Sequence, residues 1–318
     1  MWFLVYVLLF SHSLGVVSLE PSRNRMVKQL IKDVHKQYRI PMEWLNQQFD
    51  GLQLNEASLN LMQRPFEAKP WHQYRQLLVS QKRTVSGREF MQKHKAVLAK
   101  YETKYQIPAS VVTAVIGIET SYGQNKGDFN VLEALSTLGL YYTPRSHYFR
   151  SEAVALLKYA FTHQLSTKNI KGSYAGAVGI PQFMPSNIAR YGRQHTQEGV
   201  VNLIDNTDDA IVSVFHYLSK HGRWQPNEPV MKQLSLNQDQ SRHLSKKMDA
   251  LRMLPVDRAL ENMLNLRHTS KSWIIRLEYA PNQYRFYRVF RNFKSIMSYN
   301  NSVHYSSAVY QLSQTLLK

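Results

Sequence analysis

The residue of this sequence best placed to do chemistry is Glu119. It stands in Ala109-Ser-Val-Val-Thr-Ala-Val-Ile-Gly-Ile-Glu119-Thr-Ser-Tyr-Gly123, where Val112, Val115, Ile116 and Glu119 recur at i, i+3, i+4 and i+7. That spacing puts a carboxyl group on the apolar stripe of a helix, and the turn around it is apolar almost all round. Burial disfavours the charged form of a carboxyl group, which is how a glutamic acid becomes a proton donor near neutral pH. A buried acid also has a plainer use, capping a neighbouring loop or pairing with a base such as Arg145.

The remaining acids have ordinary explanations. Asn130-Val-Leu-Glu133 has the spacing of a capping box. Asp205, Asp208 and Asp209 crowd the start of the apolar run Ala210 to Leu218, where acids favour the positive end of a helix dipole. No acid pairs obviously with Glu119, so the two-carboxylate plan of most glycosidases finds no support. The chain has no cysteine, which excludes thiol nucleophiles, thiolate metal sites, disulfides and lipid attachment through an N-terminal cysteine.

The elements that must position Glu119 read as mainly helical. From Met26 to Leu140 apolar residues recur at helical spacing, and Tyr38-Arg-Ile-Pro41 and Tyr105-Gln-Ile-Pro108 each place proline where a helix can begin. Residues 172–186, GSYAGAVGIPQFMPS, have the composition of a tight, ordered loop against a cleft. Residues 26–225 are therefore expected to be helical and 226–270 to form a smaller, irregular insertion. Within 271–318, two β-rich runs flank the turn Pro281-Asn-Gln283 and suggest a hairpin, and a last helix is expected over about Ser306 to Leu317.

Length and charge bound the partners. A chain of 318 residues can bury a large core, and 40 Lys plus Arg against 22 Asp plus Glu give a formal charge of +18. Such a field favours polyanions such as nucleic acid, anionic lipid or anionic wall polymer, but the charge is scattered and no nucleic-acid motif accompanies it. The first residues, MWFLVYVLLF, suit the core of an export signal. Cleavage is expected near Ser18, giving residues 1–18 as signal and 19–318 as a soluble periplasmic or secreted protein. An uncleaved anchor is the alternative.

Several segments together resemble the membrane-bound lytic transglycosylase B family. They are Ile118-Glu119-Thr120 with Tyr122-Gly123, Leu132-Glu-Ala-Leu-Ser-Thr-Leu138, Gly172-Ser-Tyr-Ala-Gly-Ala177, Gln182-Phe-Met-Pro-Ser186, and Tyr299-Asn300 with His304-Tyr305. They come in that family's order and spacing, and the match runs from about residue 26 to the C-terminus. The resemblance implies a lysozyme-like α+β fold that cuts the MurNAc–GlcNAc β-1,4 bond of peptidoglycan and leaves 1,6-anhydroMurNAc ends. It implies that Glu119 is the acid and base, that Ser173 orients it and that Gln182 lines the cleft. Tyr74, Arg145, Tyr299, Asn300 and Tyr305 match sugar-binding positions.

No cofactor is expected. The family's calcium loop aligns with Gln194 to Asp205, and Gln194, Thr196 and Glu198 supply one carboxylate where several oxygens are needed, so no metal is expected either. The expected partner is the peptidoglycan glycan strand, met by a monomer with peripheral contact to anionic wall or membrane. Two other readings stay open, a muramidase hydrolysing the same bond with Glu119 and an idle cationic wall-binding protein.

Overall fold

The computed structural model describes residues 18–20, 24–63, 69–196, 200–248, 252–268 and 271–318. Residues 1–17 of the expected export signal lie outside them. Contacts divide the chain into two compact units, each drawn from separate stretches: Phe66–Tyr122 with Ile211–Lys318, and Trp2–Pro65 with Gly123–Ala210.

The first unit is built round helix Ala109–Thr120, all of whose residues are buried. Helices Gln81–Lys93, Lys95–Tyr105 and Val303–Leu316 pack against it, which is why its sequence is apolar all round. Val111, Val112, Val115, Ile116 and Ile118 are fully or almost fully inside, and burying each such side chain contributes about 1.5–3 kcal/mol. The last helix starts at Val303, a turn earlier than its apolar pattern suggests, because the Ser302 side chain accepts from the Tyr305 N–H and caps it.

A four-stranded antiparallel sheet completes this unit, in the order Met231–Gln233, Gln283–Val289, Trp273–Ala280, Leu254–Pro255. Its centre is the hairpin, with Ile275 opposite Tyr287. Residues 226–270 are more regular than their composition suggests. The described part supplies both outer strands and the helices Gln238–Lys247 and Arg258–Met263. The first of these starts on a capping box between Asn237 and Gln240 and buries only Leu244, so it reads as polar. Leu244, Met248, Leu260, Leu264, Ile274 and Phe286 form a small core beneath the sheet.

The second unit holds helices Arg25–Tyr38, Met42–Phe49, Glu56–Met62, Val131–Tyr141, Ser146–Thr162 and Pro185–Tyr191. A short ladder pairs Phe129–Asn130 with Lys171–Gly172. The two Tyr-X-Ile-Pro segments, one in each unit, share one local structure. Arg39 and Gln106 take left-handed conformations that close a helix, and Pro41 and Pro108 then occupy the cap position of the next. Proline serves there because the cap residue needs no intrahelical N–H donor.

Candidate active site

Glu119 lies in the last turn of helix Ala109–Thr120 and is 6% exposed. Its Oε1 accepts a hydrogen bond of 2.6 Å from the Tyr305 phenol, which the first turn of helix Val303–Leu316 holds in place. Burial above all, and then the proximity of Glu119, raises the Tyr305 phenol well above its ordinary range, so it stays a donor. Tyr299 is raised for the same reasons, and its ring meets Tyr217 edge-on at 4.9 Å. Tyr74, also within electrostatic reach of Tyr305, is buried against Trp71 and His304, with ring centroids 6.1 and 5.5 Å away. Asn300 is buried in the turn before the last helix, where its carbonyl accepts from Ser302 N–H. Five of the sequence-derived candidates, Glu119, Tyr74, Tyr299, Asn300 and Tyr305, thus belong to the first unit, and the acid and three tyrosines form one cluster.

Ser173, Gln182 and Arg145 belong to the second unit. Ser173 is buried in a tight turn in which its Oγ accepts from Ala177 N–H at 2.8 Å and its own N–H donates to the Ala177 carbonyl. The hydroxyl proton stays available for donation. Gly176 closes the turn at φ +84°, and a side chain there would strike Leu135, which explains glycine at this place in the motif. Gln182 is also left-handed, at φ 51°, and its side-chain amide donates to the carbonyls of Lys126 and Gly179 at 3.0 and 2.8 Å. Both amide protons brace the loop, leaving only the side-chain oxygen for a ligand. Arg145 is exposed, and its guanidinium lies 4.4 Å over the Tyr148 ring.

Glu152 and Arg83 escaped the sequence reading, and Asp209 has a role beyond the one expected of it. Glu152 is buried, and its two oxygens accept from the Ser186 N–H and hydroxyl at 2.9 and 2.8 Å, tying helix Ser146–Thr162 to the start of helix Pro185–Tyr191. Asp209 does more than complement a helix dipole, since it is buried and accepts from His195 and Asn202 N–H at 2.7 and 2.9 Å. Arg83, in the first unit, reaches the end of the helix that carries Glu119. Glu152 sits inside a helical pattern and looks like a surface acid, and Asp209 looks like a helix-start acid; the partner of the first lies in a separate helix and those of the second in a loop, which no local spacing discloses.

Residues 22–314 match the family model of the transglycosylase SLT domain. The chain belongs to that family. It is 30% identical over 252 residues to the membrane-bound lytic murein transglycosylase B of Escherichia coli (strain K12), covering 77% of this chain and 67% of that protein. The soluble lytic transglycosylase SltB1 from Pseudomonas aeruginosa has a similar structure, with a TM-score of 0.82 and 32% identity over 92% of this chain and 98% of that one. The Escherichia coli lytic transglycosylase Slt35, in a complex with calcium, gives a TM-score of 0.84 at 25% identity, over 95% and 96%. The SLT family and its lysozyme-like α+β fold, expected from the motifs, are thereby established, and this chain is a lytic transglycosylase.

Residues 197–199 of the segment Gln194 to Asp205 that aligns with the family's calcium loop, Glu198 among them, lie outside the described residues, and Asp209 follows that segment. Asp209 has both oxygens engaged by backbone N–H groups, and the Lys126 ammonium donates to the Ile204 carbonyl at 2.8 Å and approaches Asp205 at 3.4 Å. Among the described residues no group of three or more His, Cys, Asp or Glu could hold a metal. An ammonium held on the Ile204 carbonyl and beside Asp205 disfavours calcium there, since that ion requires six to eight oxygens. Among the described residues no helix is long and apolar enough to cross a membrane.

Proposed function

We propose that this lytic transglycosylase cleaves the β-1,4 bond between MurNAc and GlcNAc in peptidoglycan, with Glu119 as the single acid and base and 1,6-anhydroMurNAc as the product. The observation that carries the proposal is the buried Glu119 carboxyl with the Tyr305 phenol fixed 2.6 Å from Oε1.

The chemistry follows from one carboxyl group. Protonated Glu119 gives its proton to the glycosidic oxygen, the bond from that oxygen to the MurNAc anomeric carbon breaks, and GlcNAc leaves with a free hydroxyl. The substrate's 2-acetamido oxygen bonds to the anomeric carbon and carries the positive charge as an oxazolinium, a known exception to the two-carboxylate rule. Glu119, now ionised, removes the proton of the C6 hydroxyl. The C6 oxygen bonds to the anomeric carbon, the acetamido oxygen is released, and Glu119 is again protonated. Holding that hydroxyl in place gives it an effective molarity that can exceed bulk water at about 55 M. The Tyr305 phenol stabilises the ionised intermediate state of Glu119 by a charge-assisted hydrogen bond.

The motif resemblance gives Ser173 the part of orienting the carboxyl group. Tyr74, Tyr299, Asn300, Gln182 and Arg145 hold the sugars, rings against sugar faces and polar groups against acetamido and hydroxyl groups. The motif resemblance supports these roles. The enzyme works outside the cytoplasm as a monomer, soluble after loss of residues 1–18, and its charge of +18 keeps it near anionic wall or membrane surfaces.

Two measurements test this reading. Digested sacculi should yield muropeptides with anhydro ends, lighter than hydrolysed ends by about 18 Da because ring closure replaces water attack. Mainly reducible MurNAc ends would make the enzyme a muramidase instead. Glu119→Gln keeps the size and hydrogen bonding of the side chain but cannot donate a carboxylic proton, and should lower sacculus clearance at least about a hundredfold in a folded protein. Near-normal clearance would remove Glu119 from its role.

A further inference from the structure

Arg83 is a buried cation that touches no carboxylate among the described residues. It is 9% exposed, and its guanidinium donates to the Leu77 carbonyl at 2.7 Å, the Gly117 carbonyl at 3.0 Å and the Ser121 hydroxyl at 3.4 Å. Burial lowers its pKa, with neighbouring Tyr122 opposing that shift. Taking a charge out of water without an ion partner is costly, and an apolar side chain of similar size is often at least as stable in such a place. A cation kept here needs another reason.

What it grips is the end of the helix that carries Glu119. The chain leaves that helix through Ser121 and Tyr122, both with positive φ, 49° and 63°, which non-glycine residues hold only when their surroundings enforce it. Arg83 supplies part of that enforcement, since its side chain joins Gly117 inside the helix to Ser121 beyond it. Tyr122 supplies the return, its phenol donating to the Arg83 carbonyl at 2.8 Å and its ring lying on Phe90 at 5.4 Å. Room for that ring depends on Gly117, where a Cβ would stand 2.5 Å from the Tyr122 Cζ. The clasp encloses positions 117 to 122, with Glu119 between. Residues two apart on a helix project about 200° apart, so the Glu119 side chain leaves the helix on the far side from residue 117.

We propose that Arg83, together with Tyr122, is a positioning residue for the acid, fixing the final helical turn and so the line on which Glu119 meets the scissile bond. The inference rests on Glu119 being the acid. Arg83 acts through backbone and touches no reacting atom. Its importance lies in alignment, because a misplacement of about 1 Å in a reacting group can cost a hundredfold in rate.

The test uses the full chain and a soluble glycan of four or more sugars, with kcat, KM and thermal unfolding measured for each variant. Arg83→Met, similar in length and uncharged, should fold and lose kcat at least about thirtyfold with KM within about twofold, the pattern of lost alignment and not of lost binding. Arg83→Lys should lose about tenfold, since one ammonium cannot span three acceptors. Guanidinium at millimolar concentration should restore Arg83→Ala activity at least about threefold, as a replaced donor would, with only the small rise in melting temperature expected of a weakly bound ligand. A folded Arg83→Met with kcat within about twofold of the parent overturns the proposal, as does a loss of activity that only tracks melting temperature. Should Arg83→Met not fold, Arg83→Lys and Tyr122→Phe decide: lowered kcat at constant KM supports the clasp, unchanged kcat overturns it. Glu119→Gln in the same assay separates the two readings, since an active Gln variant sinks the acid, while an inactive one beside active Arg83 variants sinks only the clasp.

Discussion

His304 makes the stability of this enzyme depend on mild acidity by an amount that the structure sets. Its ring sits against Trp71 and Tyr74, at centroid distances of 5.6 and 5.5 Å, and its Nδ1 has no hydrogen-bond partner among the described residues. Burial pushes its pKa down from 6.5 to about 4, with Glu278 opposing the shift. The folded state therefore binds fewer protons than the unfolded state between those two values, and stability must fall as pH drops through that window. A difference of roughly 2.5 units at 1.36 kcal/mol each comes to about 3 kcal/mol, fully present above pH 6.5 and lost by about pH 4. Other groups titrate there too, so the measurement is a difference. Urea unfolding of the parent and of His304→Phe, at half-unit steps from pH 7.5 to about 4, isolates the histidine. Relative to His304→Phe, the parent should lose about 2–3 kcal/mol towards pH 4. Parallel stability curves, with no change in the gap across the window, would refute the account of His304 as a neutral ring wedged behind Tyr74.

Three further outcomes are expected. Tyr305→Phe removes a buried hydrogen bond to a carboxylate, worth about 1.5–3 kcal/mol, so kcat for anhydro-product release should fall about tenfold to a hundredfold in a folded protein; an unchanged kcat would show that the phenol does not assist Glu119. Calcium at micromolar to millimolar concentration should leave the melting temperature unmoved, because a site that binds nothing cannot stabilise by mass action; a dose-dependent rise in a thermal-shift assay would contradict the reading of Gln194, Thr196 and Lys126. Gly117→Ala should destabilise by about 1–3 kcal/mol and not gain the usual alanine benefit, because its methyl group collides with the Tyr122 ring; urea midpoints within error of the parent would mean that the ring moves aside freely.

The helix that carries Glu119 was legible because its burial is written into a long apolar run, and Tyr299 and Tyr305 because their motif follows it in the family's order; Tyr74 stands outside those motifs. The sheet was legible only at its centre, where Trp273 to Val289 alternates round a turn. Its outer strands and the helix Gln238–Lys247 were not, since one buried leucine gives no periodic signal, although Asn237 and Gln240 stand at capping-box spacing. Glu152, Asp209 and Arg83 show a deeper limit. Glu152 and Arg83 meet groups 34 positions away, Ser186 and Gly117, beyond any local window, and Asp209 meets His195 and Asn202, 14 and 7 positions away, through a loop whose path has no periodic signal.

The hydrogen bond between Tyr305 and Glu119 joins residues 186 positions apart, and both units draw on discontinuous stretches of chain. During vectorial synthesis the acid therefore emerges long before its phenol donor, and the first unit cannot close until the final helix is out. Contacts of such sequence separation form late, after the loop entropy between them has been overcome. For a peptidoglycan-cleaving enzyme, this ordering makes the presence of the last helix a condition of activity: a product cut short before Tyr305 carries Glu119 without the partner that holds it.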